Sequence, residues 1–187
     1  MTKLFRYGGI VASIVLIAFG IGSVVVGYNG RDQVRGELAR EQIVGTDDST
    51  IPGQKVDTGT EAQAFAKVMR KHTLEATGGQ TYAQMGRFLD KAGKPTNDEK
   101  LATTDPKSGK PVDNPLRNLW VTETALTTAL NTAYFAESVS TFVIAVGFAL
   151  LLVGVGFLVL TLMALRRPAL AAEASWSASR AAPTTAG

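Results

Sequence analysis

Two stretches of the chain, 7–28 and 143–165, contain no Asp, Glu, Lys, Arg or His. No other feature restricts the fold as much. Runs of 22 and 23 such residues are about 33–34 Å long as helices, close to the roughly 30 Å hydrocarbon core of a bilayer. A soluble domain of this length rarely carries even one such run. The expectation is an all-α integral membrane protein with two transmembrane helices, at 7–28 and 143–165. A helical extracytoplasmic domain, 29–142, would lie between them.

The charges set the orientation. Lys3 and Arg6 precede the first run, and Arg166 and Arg167 follow the second. Residues 8–142 hold 14 Lys and Arg against 15 Asp and Glu, so the net +3 of the chain lies beside the runs, on their far ends. That is the positive-inside pattern of two spans with both termini, 1–6 and 166–187, in the cytoplasm. The protein is expected in the plasma membrane with lipid as its first partner. A nearly neutral connecting segment without a basic stripe argues against nucleic acid. The first run competes with a cleaved signal peptide, whose apolar region spans about 7–15 residues before an A-x-A-like site. The run is longer and no such site follows Gly27-Tyr28-Asn29-Gly30, so a retained anchor is preferred. Arg166-Arg167-Pro168 reads as a stop-transfer signal, and the Ala/Ser/Thr/Pro-rich tail, 166–187, is expected to be disordered in the cytoplasm.

Between the spans, Val34 and Leu38 share a helical face, so the first helix is expected to run on through 29–44 despite Gly30 and Gly36. Residues 45–59 read as a flexible polar linker. Thr60-Glu61-Ala62-Gln63 reads as a capping box opening a helix with Phe65, Val68, Met69, His72 and Ala76 on one stripe. Gly78-Gly79 would end it. The spacing of Tyr82, Met85, Phe88 and Leu89 predicts a second short helix over 80–92. Residues 93–114 read as a second flexible linker, in which Gly93-Lys94-Pro95 and Gly109-Lys110-Pro111 look like a chance echo. Asn114-Pro115 is a cap followed by a proline at the first helical position. From there one helix of about 50 residues, roughly 75 Å, is expected to run through the second span to 165. Leu116, Leu119, Trp120, Leu126, Leu130, Ala133 and Tyr134 mark its outer half. Isolated short helices are marginal in water. Phe65, Met69, Tyr82, Phe88 and Trp120 are therefore expected to form the packing of the outer domain, with their unused faces as a docking surface.

Within the spans, Ser13, Gly20 and Gly27 recur every seven residues, as do Ser140, Gly147 and Gly154. Small residues let helix backbones approach in lipid, and a seven-residue period gives a left-handed seam. The two stripes either face each other in an antiparallel hairpin, serve a second copy or a foreign helix, or align by chance.

Chemistry is sparse. With no cysteine there are no disulfides, thiolate sites or cysteine nucleophiles. The single histidine, His72, has Glu75 three residues on, too few ligands for a metal and no partners for a serine triad. Asp47-Asp48 and Asp98-Glu99 sit in polar loops and read as solvated. No phosphate-binding or dinucleotide motif stands where it could act. The spans lack ionisable groups, which argues against proton relays and ion coupling. Glu123 and Glu137 interrupt the stripe of the long helix; Glu137 either pairs with Arg31 or Arg35 or lies exposed. No catalytic, cofactor-binding or metal-binding residues are assigned.

Residues 72–88 (HTLEATGGQTYAQMGRF) and 118–137 (NLWVTETALTTALNTAYFAE), with the two spans, resemble a family of small actinobacterial membrane proteins without assigned function. The likeness covers the chain from its start to about residue 165. Some members carry an "aromatic ring-opening dioxygenase" label. Such chemistry needs iron on two histidines and a carboxylate or a similar set. One histidine does not supply it, so the label is set aside. Relatives with cysteines in the outer segment would carry a disulfide this chain cannot form. The family supplies no catalytic residues. The expected function is a non-enzymatic envelope protein whose outer domain binds or braces a membrane or wall component, or which associates with itself. The alternative is a small accessory subunit of a larger membrane complex. An enzyme or transporter is disfavoured.

Overall fold

A computed structural model describes residues 2–181. The side chains of 2–6 and 165–181 lie outside the described part, and with them the flanking charges Lys3, Arg6, Arg166 and Arg167. Among the described residues, three helices dominate: α1 (Thr2–Arg40), α2 (Gly59–Ala76) and α3 (Pro115–Ala181). A two-residue antiparallel pair, β1 (Phe88–Leu89) and β2 (Pro95–Thr96), lies between α2 and α3. Both α1 and α3 contain stretches long and apolar enough to cross a membrane. Two compact units result. Met1–Asn29 pairs with Ser140–Gly187, and Gly30–Val139 forms the other.

In the first unit, α1 and α3 pack antiparallel through small residues. A Cβ added to Gly20 would lie 2.9 Å from the Gly147 carbonyl oxygen, and one on Gly147 would lie 2.9 Å from that of Gly20. Gly27 meets Ser140 and Ile144, Gly154 meets Leu16 and Ile17, and Gly9 meets Thr161. Each step of seven up one helix is a step of seven down the other. The backbones touch directly, the close approach that small residues permit. Ser13 is fully buried in this unit, and its hydroxyl donates to the Gly9 carbonyl at 2.8 Å, so it leaves no polar orphan.

In the second unit, Leu38, Val56, Ala62, Ala66 and Leu130 form the core, flanked by Val34, Ile43, Ile51, Phe65, Met69 and Ala133. Helix α1 does continue past the apolar run, to Arg40. Several expectations are corrected. The capping box lies two residues earlier than expected. Thr58 is the N-cap and Glu61 the reciprocal partner, because a box needs the acid at the third helical position and Glu61, not Gln63, fills it. The buried face of α2 runs through Ala62, Ala66, Val68 and Thr73, leaving His72 and Ala76 exposed. Neither expected linker is loose. In 45–59, Val44 bridges Lys55, the Gly45 N–H donates to Gln54 and the Val56 N–H to Ile43. Helix α3 continues past 165, where a disordered tail was expected, as far as Ala181; residues 182–187 lie outside the described part.

The helix expected over 80–92 does not form. Gly78 and Gly79 both adopt positive φ, 62° and 79°. At Gly86 the backbones of Pro95 and Thr96 approach so closely that no Cβ would fit. In place of a helix, 86–114 folds into a ring of three backbone hydrogen bonds. The Leu89 N–H donates to Val112 (3.0 Å), the Val112 N–H to Thr103 (2.8 Å), and the Thr103 N–H back to Leu89 (2.8 Å). The Gly-Lys-Pro echo is a shared turn design. Asp90 and Asp105 each accept backbone N–H bonds with a side-chain oxygen, and Gly93 and Gly109 follow at φ 75° and 65°. The Lys107 N–H and the Ser108 hydroxyl hold the Asp105 carboxyl below its ordinary range. Asn114, almost fully buried, ties the ring to α3. Its Nδ2 donates to the Gly86 carbonyl (2.9 Å) and its Oδ1 accepts from the Leu116 N–H (3.1 Å).

Gly22, two residues along α1 from Gly20 and off the seam, has nothing within 4 Å of an added Cβ. Gly20→Leu and Gly147→Leu are therefore expected to lower the melting temperature of the detergent-solubilised chain. Overpacking of this kind costs about 1–3 kcal/mol. Gly22→Leu is expected to leave that temperature nearly unchanged. Equal effects of the three variants would contradict the seam.

Candidate functional site

Helix α3 carries only two acidic groups between Leu116 and Ala164, and both turn inward. Glu123 and Glu137 stand two heptads apart, so they share the inner face. Their exposures are 3% and 9%. A buried carboxylate is costly unless paired and hydrogen-bonded, and each is paired with an arginine from a different helix.

Glu137 joins three helices. Its Oε1 accepts from the Arg35 Nε on α1 at 2.7 Å, and its Oε2 accepts from the Gly59 N–H at the start of α2. The first turn of a helix leaves N–H groups unpaired and carries partial positive charge, so a carboxylate suits that position. Only glycine fits at 59, because a Cβ there would lie 2.8 Å from the Tyr134 Cα. Of the two possibilities for Glu137, pairing with Arg35 is the one present; it is not exposed.

Glu123 holds the other end. Its Oε2 accepts from the Arg70 Nη1 of α2 at 3.2 Å, and the Arg70 guanidinium lies 4.1 Å from the centre of the Trp120 ring. Stacking and pairing together fix Arg70 in place. Beside this pair, Ala66, Lys67, Arg70, Glu123, Thr124, Thr127 and Asn131 line a cleft of about 380 Å³ between α2 and α3. The cleft combines two cations, one carboxylate and three neutral polar groups. That chemistry can seat a small polar molecule or a polar side chain of another protein. Within it the Thr124 hydroxyl donates to the Glu123 Oε2 at 3.3 Å.

A third polar cluster closes the 43–57 segment onto α2. Asp48 accepts from Lys71 Nζ at 2.9 Å, pairs with His72 Nε2 at 2.8 Å, and accepts from the Thr46 hydroxyl at 2.9 Å. The Lys71 bond first, then those of His72 and Thr46, hold the Asp48 carboxyl far below its usual range; the same contact raises Lys71. Asp48 is exposed, as expected of a loop carboxylate, but it is paired with Lys71 and His72. His72 partners Asp48 and not Glu75. Among the described residues no group of three His, Asp or Glu side chains converges.

The residues singled out from the sequence divide into groups. Ser13, Gly20, Gly27, Ser140, Gly147 and Gly154 line the α1–α3 interface of the first unit, so they are spent within the chain. Phe65 and Met69 pack on the Leu38 cluster. Phe88 and Trp120 are buried outside that cluster. Tyr82 is not inner packing: it is 41% exposed, with the Arg117 guanidinium 4.0 Å over its ring. The sequence reading missed Arg70, Lys71 and the partners of Asp48. The only sequence signal for them is basic residues placed on α2 beside its apolar stripe. No protein-family model, curated protein or solved structure matches this chain.

Removing the three-helix carboxylate should be felt throughout the second unit. Glu137→Ala is expected to destabilise it by about 1.5–3 kcal/mol, the range for hydrogen bonds to a charged group. The loss would be read as faster amide exchange in the first turn of α2. Protection unchanged at Gly59 and Thr60 would contradict the role given to Glu137.

Proposed function

We propose that the chain is a non-enzymatic protein of the plasma membrane, anchored by two spans with both termini cytoplasmic. Its folded segment 29–142 binds or braces another component of the envelope. The single observation that carries this reading is the pairing of two charge-free helical stretches through a glycine seam in a chain that also folds a separate polar unit, Gly30–Val139. Charge-free helices are at home in lipid, where all their backbone groups are satisfied internally. The polar unit needs water. Its polar clusters serve as struts between helices, which suits a brace, and the cleft at Arg70 and Glu123 supplies a polar contact point for a partner.

The accessory-subunit reading keeps one specific support. The glycine seam is already occupied, so it is not the contact. An apolar groove of about 490 Å³ lined by Ala18, Phe19, Gly22, Ser23, Val26 and Val143 would take its place. A foreign transmembrane helix would then seat against Gly22.

Topology is the direct test. The chain has no cysteine, so single cysteines report cleanly. On intact cells, Thr103→Cys is expected to react with an impermeant maleimide, and Thr184→Cys only after the membrane is opened. The reverse pattern, or equal labelling of both, would overturn the proposed placement.

A further inference from the structure

The cleft beside Arg70 and Glu123 has two walls of opposite chemistry, both within the unit Gly30–Val139. The α2 wall is made of donors. Lys67 makes no hydrogen bond or ion pair with any described residue, so its ammonium is uncommitted. Arg70 spends one N–H on Glu123 Oε2, of the five that a guanidinium carries. Its planar fork suits a carboxylate bidentately, and here it is engaged once.

The α3 wall is made of acceptors. Glu123 Oε1 is buried, and no donor of the chain reaches it. The Thr124 hydroxyl gives its proton to Glu123 Oε2 (3.3 Å). The Thr127 hydroxyl gives its proton to the carbonyls of Glu123 (2.9 Å) and Thr124 (3.3 Å). A hydroxyl whose proton is committed offers an incoming molecule lone pairs only.

The orphan oxygen shows what the cleft lacks. A carboxylate oxygen held away from water without a donor is costly. The bonds of its twin Oε2 are long, 3.2 Å from Arg70 and 3.3 Å from Thr124, against about 2.7–2.9 Å for a charge-assisted N–H···O bond. The torsion that carries both oxygens is soft. A cationic donor entering the cleft therefore needs only a turn of the carboxyl to take Oε1.

We propose that this cleft binds a small acidic amino acid, its ammonium against the α3 wall and its carboxylates against the α2 wall. A primary ammonium has three N–H donors, and the α3 wall supplies as many acceptors in Glu123 Oε1 and the Thr124 and Thr127 hydroxyls. Lys67 and the spare N–H groups of Arg70 meet the carboxylates. Charge narrows the class. Two cations and one carboxylate leave the cleft at +1, which a ligand with one ammonium and two carboxylates cancels. A dicarboxylate without an amine would leave Oε1 without a donor, and a neutral polyol would leave the cations unmatched. The volume of about 380 Å³ lies near the lower end of small-molecule sites, about 300–1,000 Å³, and suits a ligand of this size. The inference rests on the role of this cleft as a polar contact point proposed above; it does not depend on the membrane placement.

Calorimetric titration of the full chain in detergent tests this, with L-glutamate as the probe. Saturable binding of L-glutamate is expected. Glutarate has the same carbon chain and both carboxylates but no ammonium, and is expected to bind at least about tenfold more weakly, the loss for a hydrogen bond to a charged group. Lys67→Ala and Thr127→Val stand on opposite walls, neither in the Leu38 cluster, and each is expected to weaken L-glutamate binding by a similar factor. Glu123→Gln keeps the shape of the side chain, removes its charge and is expected to abolish binding; the two wall variants carry the test if it fails to fold. No saturable heat with L-glutamate would mean that water alone fills the cleft, and would overturn the proposal. Equal affinity for glutarate would do the same, since the ammonium would then count for nothing. So would undiminished affinity in both wall variants, which would put the ligand elsewhere. Labelling of Thr103→Cys reads the membrane placement separately, so either result can fail without the other.

Discussion

Two helical stretches, 7–28 and 143–165, hold no side chain that can carry a charge, and the rest of the molecule is arranged around that constraint. In lipid there is no hydrophobic gain in bringing such helices together. What holds them is contact between backbones, and that contact needs glycine or serine at every place where the helices cross. Gly20 against Gly147 and Gly27 against Ser140 meet the requirement. In the second unit, Gly30–Val139, apolar side chains do the packing instead. Apolar burial is favourable there, and Leu38, Val56, Ala62, Ala66 and Leu130 supply it.

Helix α3 contributes to both units and turns its two carboxylates inward. Each inward carboxylate would be destabilising alone. Arg35 and the first turn of α2 satisfy Glu137, and Arg70 satisfies one oxygen of Glu123. The polar struts therefore position α2 against α3 more specifically than an apolar contact would, since each needs a matched donor on a given helix. The consequence is an outer face of α3 without charge, which gives the helix a surface more like a membrane helix than a soluble one.

Much of this was legible in the sequence, for physical reasons that differ by element. The apolar runs and the seven-residue spacing of Ser13, Gly20 and Gly27 are local patterns, and local patterns survive in one dimension. Asn114-Pro115 marks the start of α3 because a cap and a fixed φ are properties of two adjacent residues. The segment 80–92 misled, because Tyr82, Met85, Phe88 and Leu89 have the spacing of a helical stripe. The deciding fact is non-local: the backbones of Pro95 and Thr96 lie against Gly86 and leave no room for a side chain. Asp48 was invisible for the same reason, since its partners Lys71 and His72 lie 23 and 24 residues away. Glu123 and Glu137 showed only as interruptions of a stripe. The arginines that satisfy them are 53 and 102 residues distant.

The account stands or falls on lipid as the solvent of α1 and α3. Alkaline carbonate extraction followed by flotation of membranes containing the full chain measures this most directly. The account predicts that the chain stays with the floating bilayer. Its release into the aqueous supernatant as a folded, detergent-free species would contradict it.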